Sequence, residues 1–354
     1  MKALQLVGWK QDPELRELPD PEPGPGEVVI EVAAAGACHS DLHLLHDFEA
    51  GMVPFEPPFT LGHENAGRVH ALGAGVNRGA GGLEIGQPVA VYGPWGCGRC
   101  HRCRMGMENY CENAGPIGAG GGGLGRNGGM AEYMLVPSDR FLVPIGDLDP
   151  VSAAPLTDAG LTPYHGVKRS LHLLGAGSHA VVIGCGGLGH MAVQILVAMT
   201  ATEVIAVDSN PEALEVARSA GAAHTVRAGE SAAEEVRELT GGKGADVVLD
   251  VVGVDETLAL AAAVSRPLGH LTILGIGGGS LPVNFFSVPY ELSVATTYWG
   301  SLPELMEVIA LAQRGQIRPE VTVHSLDDAV GTYASLAAGE VRGRAVISPA
   351  GAGR

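Results

Sequence analysis

No apolar run in this 354-residue chain approaches the ~18 residues needed to span a bilayer. The segment Met191–Met199 is too short and carries Gln194. The first residues, Met1-Lys2-Ala3-Leu4-Gln5, lack the apolar core of a signal peptide. Positive charge is scarce, with 22 Lys and Arg against 39 Asp and Glu and a net charge of −17 at pH 7. Phosphate binding wants basic clusters, so no nucleic-acid partner is expected, and the acidic excess reads as solubility. Cysteine is scarce too, at six residues, four of them within one loop. No pair is left over for a disulfide framework, which fits a reducing cytoplasm. No internal repeat is present.

What is there starts with that loop. Cys97, Cys100, Cys103 and Cys111 stand in the run C-G-R-C-H-R-C-R-M-G-M-E-N-Y-C. These gaps can gather four thiolates around one tetrahedral zinc, whereas cysteines two residues apart crowd disulfide geometry. A redox cluster or an iron–sulfur site is the alternative reading. The loop has little apolar material to pack, so a metal would supply its fold.

The length predicts two domains, and 46% hydrophobic residues are ample for their cores. Residues 1–150 read as β-rich: strands such as 27–33 and 87–92 are separated by Pro and Gly turns, as in Pro21-Glu22-Pro23-Gly24-Pro25-Gly26. Glycine tracts at 79–82 and 118–125 read as loops. After about residue 160 the pattern alternates strand and helix. Strands are expected at 180–184, 203–208, 246–252 and 270–276, with helices at 188–199 and from Pro211 to Gly221, where Asn210 can cap. Such alternation argues a parallel, doubly wound sheet. A last helix over 301–314 opens with Ser301 and Glu304 at capping-box spacing.

Gly184-Cys185-Gly186-Gly187-Leu188-Gly189 follows the 180–183 strand and opens a helix, and Asp208 ends the next strand. In that context G-x-G-x-x-G is the dinucleotide fingerprint, the glycines admitting a pyrophosphate to the helix N-terminus. Asp208 would accept from the adenosine ribose hydroxyls and repel a 2′-phosphate. The next residues, Ser209 and Asn210, offer no Arg, which favours NAD over NADP. A glycine-rich turn in an unrelated α/β sheet is the bland alternative.

A third constellation joins Cys38-His39-Ser40-Asp41-Leu42-His43 to Gly62-His63-Glu64. Cys38 and His63 offer a thiolate and an imidazole, a start for zinc. On their own they read more readily as an inert buried Cys and a structural His.

These motifs, in this order and over essentially the full length, resemble the zinc-containing medium-chain alcohol dehydrogenases; the Arg-Gly-Arg ending at Arg344 belongs to the same pattern. The stretches 91–97 (VYGPWGC) and 155–165 (PLTDAGLTPYH) most resemble bacterial secondary-alcohol dehydrogenases, which act on aliphatic and aryl ketones and are often tetrameric. The resemblance implies an α/β protein. A β-rich GroES-like catalytic domain would cover 1–156 and 300–354, with the structural zinc loop at 97–111. A Rossmann domain with a doubly wound parallel sheet would cover 157–299, and the active site would lie in the cleft between the two. It implies two zinc ions per subunit, NAD, a small neutral alcohol or ketone as substrate, and a homo-oligomer, a tetramer or a dimer. A polyol or threonine dehydrogenase of the same superfamily is the nearest alternative, and a non-catalytic NAD-binding zinc protein the other.

The same resemblance assigns roles. Cys38, His63 and Asp158 match the catalytic zinc ligands; many relatives carry Cys where this chain has Asp158. Glu64 matches a carboxylate beside the metal, and Asp41 the acceptor that orients His63. Ser40 matches the hydroxyl that contacts the substrate oxygen, and His43 the outer base of the proton relay. His39 and Arg344 match residues facing the pyrophosphate held by Gly184, Gly186, Gly187, Leu188 and Gly189. Trp95, Leu124 and Trp299 match an apolar substrate pocket, with Phe285 and Phe286 beside it. The stretch Asn77–Leu83 departs from the family pattern and has no assigned role.

Overall fold

The computed structural model describes residues 1–117 and 120–351, so Gly118 of the second glycine tract lies outside it. The chain forms two compact units. One comprises Met1–Asp158, Ser301–Arg314 and Pro319–Arg354; the other comprises Ala159–Gly300 and Gly315–Arg318.

The first unit is built on the strand Val28–Gly36 (VVIEVAAAG), buried at nearly every position. It has partners on both edges, which explains a continuous apolar run rather than strict alternation. Glu64–Leu72 pairs with it antiparallel, as do Tyr133–Val136 and Arg344–Ser348. The sheet runs Leu142–Pro144, Pro88–Val91, Glu64–Leu72, Val28–Gly36, Arg344–Ser348, Val321–Ser325. Register decides what meets at one end of it: Gly36 lies opposite both Glu64 and Val346. The chain then leaves Gly36 for Cys38 and enters the helix His39–His46. Beneath lies a core of Leu4, Leu6, Leu44, Leu45, Phe59, Leu61, Met130 and Ile347, all at most 1% exposed. Each buried aliphatic side chain of this kind contributes about 1.5–3 kcal/mol before entropy is counted. The helix Leu302–Gln313 starts as its sequence predicts, with Ser301 and Glu304 capping each other. The Asn77–Leu83 stretch is a tight turn, closed by the Leu83 amide donating to the Asn77 carbonyl at 3.0 Å.

The second unit is a parallel six-stranded sheet ordered His224–Arg227, Glu203–Asp208, His179–Ile183, Ala245–Asp250, Ser265–Ile273, Ser293–Thr296. Counted along the chain this is 3-2-1-4-5-6, the doubly wound order in which the first strand feeds a nucleotide-binding turn. The sequence-derived strands agree to within a few residues, the largest difference being Ser265–Ile273 against an expected start at His270. Asn210 caps the following helix by accepting from the Glu212 amide at 2.9 Å, with Pro211 at its first position. Among the described residues no helix is long and apolar enough to cross a membrane.

Candidate active site

Cys38 occupies the N-cap of the His39–His46 helix in extended backbone conformation. His63 follows Gly62 at the mouth of the Glu64–Leu72 strand, and Asp158 follows the short 3-10 helix Ala154–Thr157. Three separated segments thus bring Cys38 Sγ to 3.9 Å and His63 Nε2 to 3.7 Å from Asp158 Oδ2. Donors bound tetrahedrally to one zinc would stand about 3.4–3.8 Å apart, so both separations from Asp158 suit a shared ion within a few tenths of an ångström. Glu64 completes a group whose donor atoms lie within 4.8 Å of one another. Burial works against a positive His63, yet Asp41, Asp158 and Cys38 hold its pKa well above the ordinary value. The pocket therefore favours a cation at this point, a proton or a metal.

Asp41 sits one turn into the helix and reaches back, its Oδ2 accepting from the Cys38 amide at 3.0 Å. Its Oδ1 lies 3.1 Å from His63 Nδ1. That contact fixes the imidazole with Nε2 toward Cys38 and Asp158, the arrangement that metal-bound histidines adopt. Ser40 Oγ lies 3.3 Å from the same Nε2.

Arg344 opens the strand next to Gly36 and forks onto Glu64, with Nε to Oε2 at 3.0 Å and Nη2 on Oε1. Its Nη2 is also 3.8 Å from Asp158 Oδ2. Both partners are almost fully enclosed, Glu64 at 0% and Arg344 at 3% exposure. Burial pushes the Glu64 carboxyl up to about 7, with Arg344 pulling against it. Gly36 makes the room: a Cβ there would lie 1.8 Å from Glu64 Oε2.

The four-cysteine loop forms a second group, again with its donor atoms within 4.8 Å of one another. Cys97 Sγ and Cys103 Sγ are 4.0 Å apart, close to the edge of a zinc tetrahedron and too far for a bond. Amide groups of Arg99 and Cys100 point at Cys97 Sγ, and Asn113 Nδ2 donates to it at 3.2 Å. These donors, Asn113 first, lower the Cys97 thiol to about 6, whereas burial raises Cys103 to about 12.

In the second unit the His179–Ile183 strand runs into Gly184–Gly189 and the helix Gly189–Met199. A Cβ on Gly189 would sit 1.8 Å from the Gly184 carbonyl oxygen, so only glycine permits this turn. A Cβ on Gly186 would meet nothing within 4 Å, leaving an open shelf at the helix N-terminus. Asp208 braces the turn, accepting from the Cys185 amide at 2.6 Å and the Asn210 amide at 2.7 Å. A carboxylate has further lone pairs for ribose hydroxyls. The Cys185 thiol is buried and raised by that burial, with Asp208 adding to it.

The remaining expectations separate. His39 is exposed and His43 half-buried, with His43 Nδ1 2.5 Å from Asp47 Oδ2 one turn on. Trp95 is buried, stacks on Phe141 and donates to the Tyr92 carbonyl at 3.0 Å. Leu124 packs against the core that contains Leu61 and Met130. Trp299 is buried edge-on to Tyr298. Phe285 and Phe286, expected beside the apolar pocket, are 71% and 88% exposed. With Tyr290 they line an open concavity. Sequence reasoning missed Asp47, Tyr333 and the Arg344–Glu64 pairing. Only Asp47 had a local signal, the four-residue spacing from His43.

Two family patterns match the chain. Residues 24–147 match the alcohol dehydrogenase GroES-like domain and residues 187–314 the zinc-binding dehydrogenase domain. A NAD-dependent alcohol dehydrogenase of Sulfurisphaera tokodaii is 34% identical, over 99% of this chain and 100% of its own length. A D-arabinose 1-dehydrogenase (NADP(+)) of Saccharolobus solfataricus is 33% identical, over 98% of this chain and 97% of its own. The solved alcohol dehydrogenase of Aeropyrum pernix superposes with a TM-score of 0.90 at 36% identity, covering 99% of this chain and 100% of that one. Acetophenone reductase from Geotrichum candidum, solved in complex with NAD, gives 0.84 at 31%, covering 98% and 97%. With a GroES-like domain, a Rossmann-type domain and this likeness along its whole length, the chain belongs to the zinc-binding alcohol dehydrogenase family.

Proposed function

We infer that this protein is an oxidoreductase that moves a hydride between NAD(H) and a neutral, mainly secondary alcohol or ketone, aliphatic or aryl. The observation that carries the reading is the convergence of Cys38, His63 and Asp158 on one point, beside the buried Glu64–Arg344 pair.

Cys38, His63 and Asp158 would hold a catalytic zinc, and Cys97, Cys100, Cys103 and Cys111 a structural one, giving two per subunit. The thiolate and carboxylate together offset the charge of a divalent ion, and the donors match what zinc accepts. When bound, the catalytic zinc supplies Lewis acidity, which lowers the pKa of an alcohol and polarises a carbonyl. Asp41 keeps His63 oriented, and Arg344 holds Glu64 and faces Asp158. Ser40, beside His63 Nε2, would receive the substrate hydroxyl proton, and His43 would act as the outer base that passes it to solvent. Asp47 on Nδ1 sets the His43 tautomer, with the proton on Nδ1 and Nε2 free to accept. The glycine turn and Asp208 would take the NAD pyrophosphate and ribose, with His39 and Arg344 as further contacts.

A secondary alcohol or ketone is favoured over a sugar by the absence of a polar clamp among the candidate pocket residues Trp95, Leu124 and Trp299. Likeness to a reductase of acetophenone, an aryl ketone, supports this choice, and likeness to the arabinose dehydrogenase keeps the sugar alternative in view. An oligomer, a tetramer first, accounts for an exposed apolar surface of Val283, Phe285, Phe286, Tyr290 and Val294 along the sheet edge Ser293–Thr296. Six free cysteines suit the cytoplasm.

Steady-state NAD reduction tests the substrate class. We expect 1-phenylethanol to exceed sorbitol, threonine and D-arabinose by at least tenfold in kcat/KM, about 1.4 kcal/mol of transition-state stabilisation. A polyol's extra hydroxyls left unpaired cost roughly 1–3 kcal/mol each, which supplies that margin. A better rate with sorbitol or arabinose would reassign the substrate and leave the metal and NAD assignments standing.

A further inference from the structure

The group that orients His63 is itself held from the far end of the chain. Tyr333, on the helix Ala329–Ala337, places its hydroxyl 2.9 Å from Asp41 Oδ2 across 292 residues of sequence. Both residues are buried, Asp41 at 0% and Tyr333 at 4% exposure. The hydroxyl also lies 3.1 Å from Met130 Sδ. A thioether is a weak acceptor and a carboxylate a strong one, so the proton goes to Asp41. Asp41 therefore has two donors on Oδ2, the Cys38 amide and the Tyr333 hydroxyl, while its Oδ1 lies 3.1 Å from His63 Nδ1. A buried carboxylate held this way can neither rotate nor withdraw without leaving a donor unpaired.

We propose that Tyr333 is a positioning residue for the catalytic metal centre, its hydroxyl locking Asp41 in the one orientation that keeps His63 Nε2 aimed at the ion. The proposal rests on the assignment of Cys38, His63 and Asp158 as zinc ligands. It makes the C-terminal helix part of the metal site, although no ligand lies on it. The Tyr333 ring belongs to the core with Leu44, Leu45 and Met130, so Tyr333→Phe keeps the packing and removes the hydrogen bond alone.

The test is the rate at which the purified holoenzyme yields zinc to a chromophoric chelator. Cys38→Ser identifies the release phase of the catalytic site by removing it. Partners of a ligating histidine typically alter metal affinity about 10–100-fold, so Asp41→Asn should speed this phase by that order and Tyr333→Phe, one bond further out, by about 3–10-fold. Release from the four-cysteine loop should not change in either variant, which also shows that both are folded. On the Asp41→Asn background, Tyr333→Phe should add nothing. An unchanged catalytic phase in Tyr333→Phe would overturn the proposal, and so would an equal factor on the Asp41→Asn background or equal acceleration of both phases. If Cys38→Ser removes neither phase, the ligand assignment fails first, and the role of Tyr333 with it.

Discussion

Arg344 and Glu64 show what one residue can contribute when it is enclosed. A buried ion pair is weak support for stability, because the desolvation of two charges offsets their attraction. Breaking it is another matter, since the survivor is left charged and unsolvated, at about 3–5 kcal/mol. Arg344→Met and Glu64→Leu should each lower the denaturant midpoint by that order. The double variant should recover most of the loss, because two apolar side chains can fill the same space. Activity should not return with stability, since Asp158 loses the guanidinium 3.8 Å from its Oδ2. Chemical denaturation and NAD reduction of the three variants check this; additive losses in the double variant would contradict it.

At the scale of elements, two short segments that could each bind zinc differ in what they do without it. The 97–111 loop has four-residue and three-residue helical turns, and its buried side chains are Cys103, Glu108, Asn109 and Cys111. Its shape depends on sulfur, through amide-to-sulfur contacts to which the proposed structural zinc would add. Cys103→Ser should therefore unfold the loop and lower yield and melting temperature. The helix that starts at Cys38 stands on Leu44 and Leu45, so Cys38→Ser should leave a folded protein without turnover. Elemental analysis should read about two zinc ions in the parent and one in Cys38→Ser; one zinc in an active parent would refute the division of roles. These segments are legible in sequence because each spacing acts locally: two residues separate Cys97 from Cys100, and Asp208 ends the strand after the glycine turn. The same holds for the strand–helix rhythm of the second unit, where period and capping residues are local quantities. Contacts made by return of the chain have no such signal. Tyr333 meets Asp41 across 292 residues and Arg344 meets Glu64 across 280, and only the folded topology brings either pair together. The exposed Phe285 and Phe286 escape sequence reasoning for a related reason, since large apolar side chains look alike in sequence whether they line a pocket or a surface.

For the whole molecule, the chemistry is distributed by unit: the metal donors lie in the first, the dinucleotide turn and Asp208 in the second. Each half should then be disabled separately. Asp208→Ser removes the ribose acceptor and the charge that repels a 2′-phosphate, and it exposes any such phosphate to Arg227, which lies in register beside it on the neighbouring strand. It should weaken NAD binding at least tenfold, about 1.4 kcal/mol, while NADP improves, so that the preference in kcat/KM narrows from both sides. Part of the loss will come from the turn itself, because Asp208 also accepts the Cys185 amide. Asp208→Asn, which keeps an acceptor there but drops the charge, separates the two: it should retain more NAD binding than Asp208→Ser and still admit NADP. Zinc content should stay at the parental value in both variants. Conversely, Cys38→Ser should bind NADH with parental affinity in a fluorescence titration and yet turn nothing over. Loss of zinc in the Asp208 variants, or equal kcat/KM for the two cofactors in the parent, would contradict this division between the units.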